Sequence, residues 1–230
     1  MVTMLQARLD QLVQELQISR VEIIREEREI LLLNELVKCK LSQQLVFKGG
    51  TALRLVYAGP RFSQDLDFSL LSEIDPGKLK QCIEGVLSKI PGSSLDDFVT
   101  KRYTHFVLIK ITDLLLSQNI SIKLEISRRP VSWKYGQDYQ VGIATSLTAN
   151  LAVIINVSTL ERMLKDKQHA VKTRSKARDY FDLWYLAHKL DRQIKIPKPN
   201  IEYKAFNSEL NQLLPIHHRG WAEHFLSSYD

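Results

Sequence analysis

Apolar residues recur at three- and four-residue intervals over residues 3–17 (TMLQARLDQLVQELQ), a period that predicts an amphipathic helix. Ser19 is placed to cap a second, longer helix, RVEIIREEREILLLNELVKCK, whose first half carries a mixed acidic and basic outer face. The short apolar run LVFK (45–48) reads as a strand that stops at Gly49-Gly50. TALRLVYA then resumes helical character until Gly59-Pro60 breaks it. DLDFSLL follows as a strand, and DPGKLKQCIEGVLSKI (75–90) as a helix opened by an aspartate cap and a proline. Alternation marks two more strands, THFVLIKIT (104–112) and ISIKLEIS (120–127). In the second, Ile122, Leu124 and Ile126 share one face and Lys123 and Glu125 the other.

RRPVSWKYGQD has turn composition, and no clear pattern follows it until Ser158. Ser158 and Glu161 then form an expected capping box for a basic helix running to about 172. Another helix spans 174–190, DRQIKIPKP is a polar linker, and weaker helical patterns occupy 201–213 and 218–228. The order predicts an α+β (α/β) protein with a small mixed sheet at roughly 44–157. We divide it into 1–157, helices plus sheet core, and 158–230, a helical region completing the site.

At 230 residues the chain is long enough for one large domain or two small ones. It begins with no basic-then-apolar signal pattern, and its longest apolar run, LAVIINV, is too short to span a bilayer. The expectation is a soluble cytoplasmic protein with no membrane partner. Cys39 and Cys82 read as isolated, giving neither a disulfide framework nor a metal site, which suits a reducing compartment. His169, His217 and His218 show no metal-ligand spacing. The net charge of +6 is unevenly spread. Residues 1–100 hold 12 Lys/Arg against 14 Asp/Glu, and residues 101–230 hold 20 against 12. A basic second part favours a polyanionic partner.

The chemistry concentrates in KGGTALRLVYAGPRFSQDLDF (48–68). In a strand, Asp65 and Asp67 share a face about 7 Å apart. The pair reads either as a solvated strand edge or as ligands for a hard cation such as Mg²⁺. Lys48, Gly49, Gly50 and Thr51 join a strand to a helix start, where backbone N–H groups suit phosphate, although a plain turn needs nothing different. Taken together, a phosphate cradle and an acidic pair are what metal-dependent nucleotidyl transfer requires. Glu125 is the candidate third carboxylate.

These residues resemble the AbiEii/AbiGii family of nucleotidyltransferase-like toxins, within the polymerase-β-type superfamily. FKGGTALRLVY followed by RFSQDLDF matches the family's glycine turn and spaced acids, at Gly49, Gly50, Asp65 and Asp67. LKDKQHAVKTRSKARDYFDLWYL matches its downstream block, at Lys167, Arg178, Asp179 and Asp182. The resemblance covers roughly 20–190, with no match for the last forty residues. It implies a polymerase-β-like core, NTP as substrate, Mg²⁺, an RNA acceptor (a tRNA 3′ end in particular), growth arrest and a cognate antitoxin.

Asp65, Asp67, Glu125, Lys167 and Asp179 are then the expected catalytic residues, the first three also as metal ligands. Arg61 and Ser63, matching R-x-S-x-D-L-D, join Lys48, Gly49, Gly50 and Thr51 at the nucleotide, although Arg61 also suits a loop brace. Arg174 and Arg178 are expected RNA contacts within 162–178, which holds seven Lys/Arg against one Asp and reads alternatively as a solvated helix face. Asp182 reads as a structural partner, and Phe181, Trp184 and Tyr185 as core. Small-molecule or protein nucleotidyl transfer, and a non-catalytic RNA-binding module, are the alternative functions.

Overall fold

A computed structural model describes residues 5–227. Thr3 and Met4 of the first expected helix and Ser228 of the last lie outside the described residues. Helices α1 (Gln6–Leu16) and α2 (Arg20–Leu36) precede β1 (Leu45–Lys48), α3 (Gly49–Leu55), β2 (Asp65–Leu70) and α4 (Pro76–Leu87). Strands β3 (Ser93–Lys101), β4 (Thr104–Ile111), β5 (Ile120–Ser127), β6 (Tyr139–Thr145) and β7 (Ala152–Ser158) follow. The helices α5 (Leu160–Thr173), α6 (Ala177–Lys189), α7 (Tyr203–Asn211) and α8 (Trp221–Ser227) come last.

One mixed sheet of seven strands, ordered β3-β4-β5-β2-β1-β7-β6, forms the centre. The expected α/β class holds, but the sheet is larger than the sequence pattern indicated. β3, β6 and β7 carry no clear signal because two are edge strands and the third is apolar on both faces. β3 is largely exposed and bulged between Leu95 and Asp97. In β7 the exposed Ile154 alternates with the buried Val153 and Ile155, so burial has period two where residues 151–155 are continuously apolar.

Ser19 caps α2 and Asp75 caps α4, as their residue types suggest. The basic helix instead starts one residue late, because Thr159 accepts from the Arg162 N–H while Ser158 closes β7. The charged face of α2 is also not an outer face. Glu22, Glu26, Glu27, Arg28 and Glu29 are all buried, since α2 packs against α1, α4, β5 and β7. Glu26 pairs with Arg54 and accepts from Ser146, and Arg28 pairs with Asp113. Burial, followed by the charge of Glu26, pushes the Glu29 carboxyl well above its usual range. Cys39 and Cys82 are not isolated either. A disulfide joins them across 43 residues, bringing the segment after α2 to α4.

A second apolar cluster ties α6, α7 and α8 together through Phe181, Phe206, Trp221 and Phe225. It hangs on the loop between α3 and β2. The Phe62 N–H donates to the Leu213 carbonyl at 2.8 Å, and the Tyr185 hydroxyl reaches the carbonyls of Tyr57 and Ala58. These contacts bring α5 and α6 to the side of the sheet where Asp65 and Asp67 emerge.

Candidate active site

β2 builds the centre by alternation. Leu66 and Phe68 are fully buried and anchor the strand, while Asp65 and Asp67 leave its other face. Register then selects their neighbours. Asp67 lies opposite Lys48 of β1 and Glu125 of β5, and Asp65 lies opposite Lys123. Glu125, assigned from alternation alone, is thus the cross-strand neighbour of Asp67. Sequence reasoning placed Lys123 on this polar face but gave it no role. Its signal was the i, i+2 spacing with Glu125.

The glycines pack against the site itself. Gly49 has φ +79°, and a Cβ there would overlap Oδ2 of Asp67. A Cβ on Gly50 would strike the Arg61 guanidinium and come 2.7 Å from Ser63 Oγ. The pair therefore lets Asp67, Arg61 and Ser63 close onto the start of α3, whose cap position, Lys48, offers no side-chain hydrogen bond to the first N–H groups. The Thr51 hydroxyl donates to the Asp65 carbonyl, fixing the strand that carries the acids. Gly49→Ala is expected to cost about 1–2 kcal/mol of stability, because an L-residue is strained at this φ. Displacement of the Asp67 carboxylate is expected to lower ~10²-fold the nucleotide transfer that the sequence resemblance implies. Melting curves and a transfer assay on the same preparation check both effects, and unchanged transfer would contradict this role.

The downstream block supplies a buried ionic cluster. Arg61, 4% exposed, forms a two-pronged pair with Asp182 at 2.8 and 2.9 Å, and its third nitrogen donates to the Phe62 carbonyl. Lys167 Nζ lies 2.8 Å from Asp179 Oδ1 and 2.7 Å from Asp182 Oδ2. Arg174 grips Asp179 with two nitrogens, at 2.7 and 3.0 Å. Arg178 is half-buried, and its backbone N–H is held by Glu209. Three cations thus surround two buried carboxylates. Burial pushes the Asp182 carboxyl up, but Arg61 and Lys167 outweigh it and hold it well below the usual range. Asp179 is lowered in the same way, burial being overcome by Lys167 and Arg174.

Arg61 joins the two halves, since it packs against Gly50 and pairs with Asp182. Burial and then the Asp65 charge raise the Asp67 pKa, with Glu125 adding to the rise and Lys48 and Lys167 opposing it. Burial lowers Lys48, offset by Asp166 and Asp67. Arg162, also unassigned from sequence, flanks this end of the site. It pairs with Asp138 and Asp166 and lies over the Trp133 ring, 4.5 Å from its centroid.

A hard divalent cation fits this donor set by chemistry. Its donors are carboxylate oxygens alone, and Asp67 is raised first by burial and then by the neighbouring Asp65 charge, which such an ion would relieve. Among the described residues, no three His, Cys, Asp or Glu side chains converge as a ready-made metal cage. No described helix is long and apolar enough to cross a membrane.

No curated protein matches the chain. Its fold is shared by solved structures that include the following three. JHP933 from Helicobacter pylori is 20% identical, with 92% of each chain covered and a TM-score of 0.57. A putative nucleotidyltransferase from H. pylori is 22% identical, covering 89% of this chain and 92% of its own, at 0.54. MenT4, a nucleotidyltransferase toxin from Mycobacterium tuberculosis H37Rv, is 20% identical, covering 86% and 67%, at 0.55. The family model of the nucleotidyl transferase AbiEii toxin, type IV toxin–antitoxin system, matches residues 31–213, reaching past the point near 190 where the sequence resemblance ended. That family implies a nucleotide substrate and an antitoxin partner, and nucleotidyltransferases generally use a divalent metal. The chain therefore belongs to the AbiEii family of nucleotidyltransferase toxins.

Proposed function

We propose that this toxin transfers a nucleoside monophosphate from an NTP to an RNA hydroxyl, at a tRNA 3′ end, in a Mg²⁺-dependent reaction that arrests growth. The observation that carries the reading is geometric: Gly49 and Gly50 pack against Asp67 and Arg61, and Arg61 in turn pairs with Asp182, which holds Lys167. A divalent cation held by Asp65, Asp67 and Glu125 would neutralise the triphosphate charge.

The chain's own groups divide the remaining work. Backbone N–H groups at Gly49 and Gly50, the Ser63 hydroxyl and the Lys48 ammonium receive phosphate oxygens. Lys167 has three N–H donors, two of them spent on Asp179 and Asp182, which leaves one for the nucleotide. Thr51 and Arg61 hold the loop that shapes the cradle, the Thr51 hydroxyl and each of the three Arg61 nitrogens bonding within the protein. In the reaction the acceptor hydroxyl gives up its proton to water and its oxygen bonds to the α-phosphorus, while the bond from the α-phosphorus to the bridging oxygen breaks and pyrophosphate leaves with that oxygen.

The RNA reading is supported by the basic second part of the chain and by the exposed Lys165, Lys172 and Lys176 around the paired Arg162, Lys167 and Arg174. Binding through such residues weakens steeply with salt. The test is incubation of the purified protein with each α-labelled NTP, Mg²⁺ and total tRNA. The expected result is label in RNA with one preferred NTP, and none from an Asp65→Ala/Asp67→Ala double variant. Label on protein or small molecules alone, or wild type behaving like the double variant, would overturn the reading.

A further inference from the structure

Two lysines of the site, Lys167 and Lys123, are held in different ways. Lys167 is 13% exposed and within hydrogen-bond distance of both its carboxylates. Lys123 is 34% exposed, and its Nζ lies 3.4 Å from Asp65 Oδ2 and 3.6 Å from Glu125 Oε1. Both distances exceed the usual N–H···O range, so Lys123 is shared between two carboxylates as a point charge. Its flexible four-carbon stem leaves the open face of β5, where Ile122 and Leu124 on the other face are buried. Lys123 can therefore swing towards solvent without disturbing the core.

We infer that Lys123 is a built-in, displaceable counter-cation that holds Asp65 and Glu125 until a divalent cation replaces it. This rests on the proposed metal role of those carboxylates. The ammonium keeps the acids from repelling each other in the absence of metal, and it lowers their affinity for the free ion by competing for the same negative charge. Once displaced, it is a free cation beside the triphosphate, so metal and nucleotide enter together more favourably than either does alone. Lys167, gripped by Asp179 and Asp182, stays in place.

The test is a titration of the full-length chain with Mn²⁺ alone, following the free ion by electron paramagnetic resonance. Two partly exposed ion pairs lead us to expect about 5- to 10-fold tighter Mn²⁺ binding in Lys123→Met. Lys123→Arg, which keeps the charge, is expected to bind close to wild type, and Asp65→Asn to bind much more weakly. Thermal melting supplies a readout independent of catalysis. Lys123→Met is expected to melt below wild type without metal and to gain more from added Mn²⁺. Equal or weaker Mn²⁺ binding by Lys123→Met, with Asp65→Asn still impaired, would overturn the counter-cation role and leave the metal reading standing. Mn²⁺ binding unaffected by Asp65→Asn would remove the metal reading and this inference together.

Discussion

Asp67→Asn is expected to lower nucleotide transfer by ~10²–10³-fold while leaving the protein as stable as wild type or more so. Asp67 is central to the site and costly to the fold. Burial and the neighbouring Asp65 charge raise its pKa, so the folded protein binds its proton more tightly than the unfolded chain does. Stability contributed by the carboxyl therefore falls as pH rises above the unfolded value near 3.8. The uncharged amide removes that cost. Any gain in Tm will appear at neutral pH and vanish as pH falls below the unfolded value, where the carboxyl is protonated in both states. Melting curves across pH, set beside transfer rates, check this split. A variant that loses activity only because it melts far below wild type would contradict it.

Asp182→Ala is expected to do the reverse, acting first on stability. It leaves the Arg61 guanidinium buried without its two-pronged partner and removes one of the two carboxylates that hold Lys167. Breaking a buried pair from one side costs about 3–5 kcal/mol, which for a chain of this size lowers Tm by roughly 6–20 °C. The sign with pH is also opposite. The Asp182 pKa is held down, so its contribution is present above the unfolded value near 3.8 and is lost as pH falls through the lower folded value. Calorimetry at neutral pH checks the size, and a Tm within two or so degrees of wild type would contradict the bracing role.

The two variants show how differently the site was legible. The DLD triplet is readable because alternation fixes which side chains share a face, and the same rule puts Glu125 on a polar face, whereas its place opposite Asp67 comes from the β2–β5 register. Lys167, Arg174, Asp179 and Asp182 are spaced to face one another along helices, and the structure joins them. The sequence does not reveal that Arg61 reaches 121 residues along the chain to Asp182, because a buried ion pair leaves no periodic trace. It also does not reveal that the glycines make room for Asp67, Arg61 and Ser63. That is a statement about close approach, and a Gly-Gly turn would look the same without it.

The fold follows the same division. Elements with one buried face were found from their period. β3, β6 and β7 lacked that signal, and so did the charges of α2, whose burial depends on partners far away in sequence. Cys39 and Cys82 were missed for the same reason, since two single cysteines 43 residues apart carry no spacing signature.

The central claim is that the acids of β2 and the lysine of α5 serve one nucleotide site. A double-mutant cycle in the transfer reaction tests it directly, with Asp67→Asn, Lys167→Met and the double variant compared under single-turnover conditions. If both act on the same phosphates, the double variant loses little more than the worse single variant. Losses that multiply, as for two independent sites, would contradict the account.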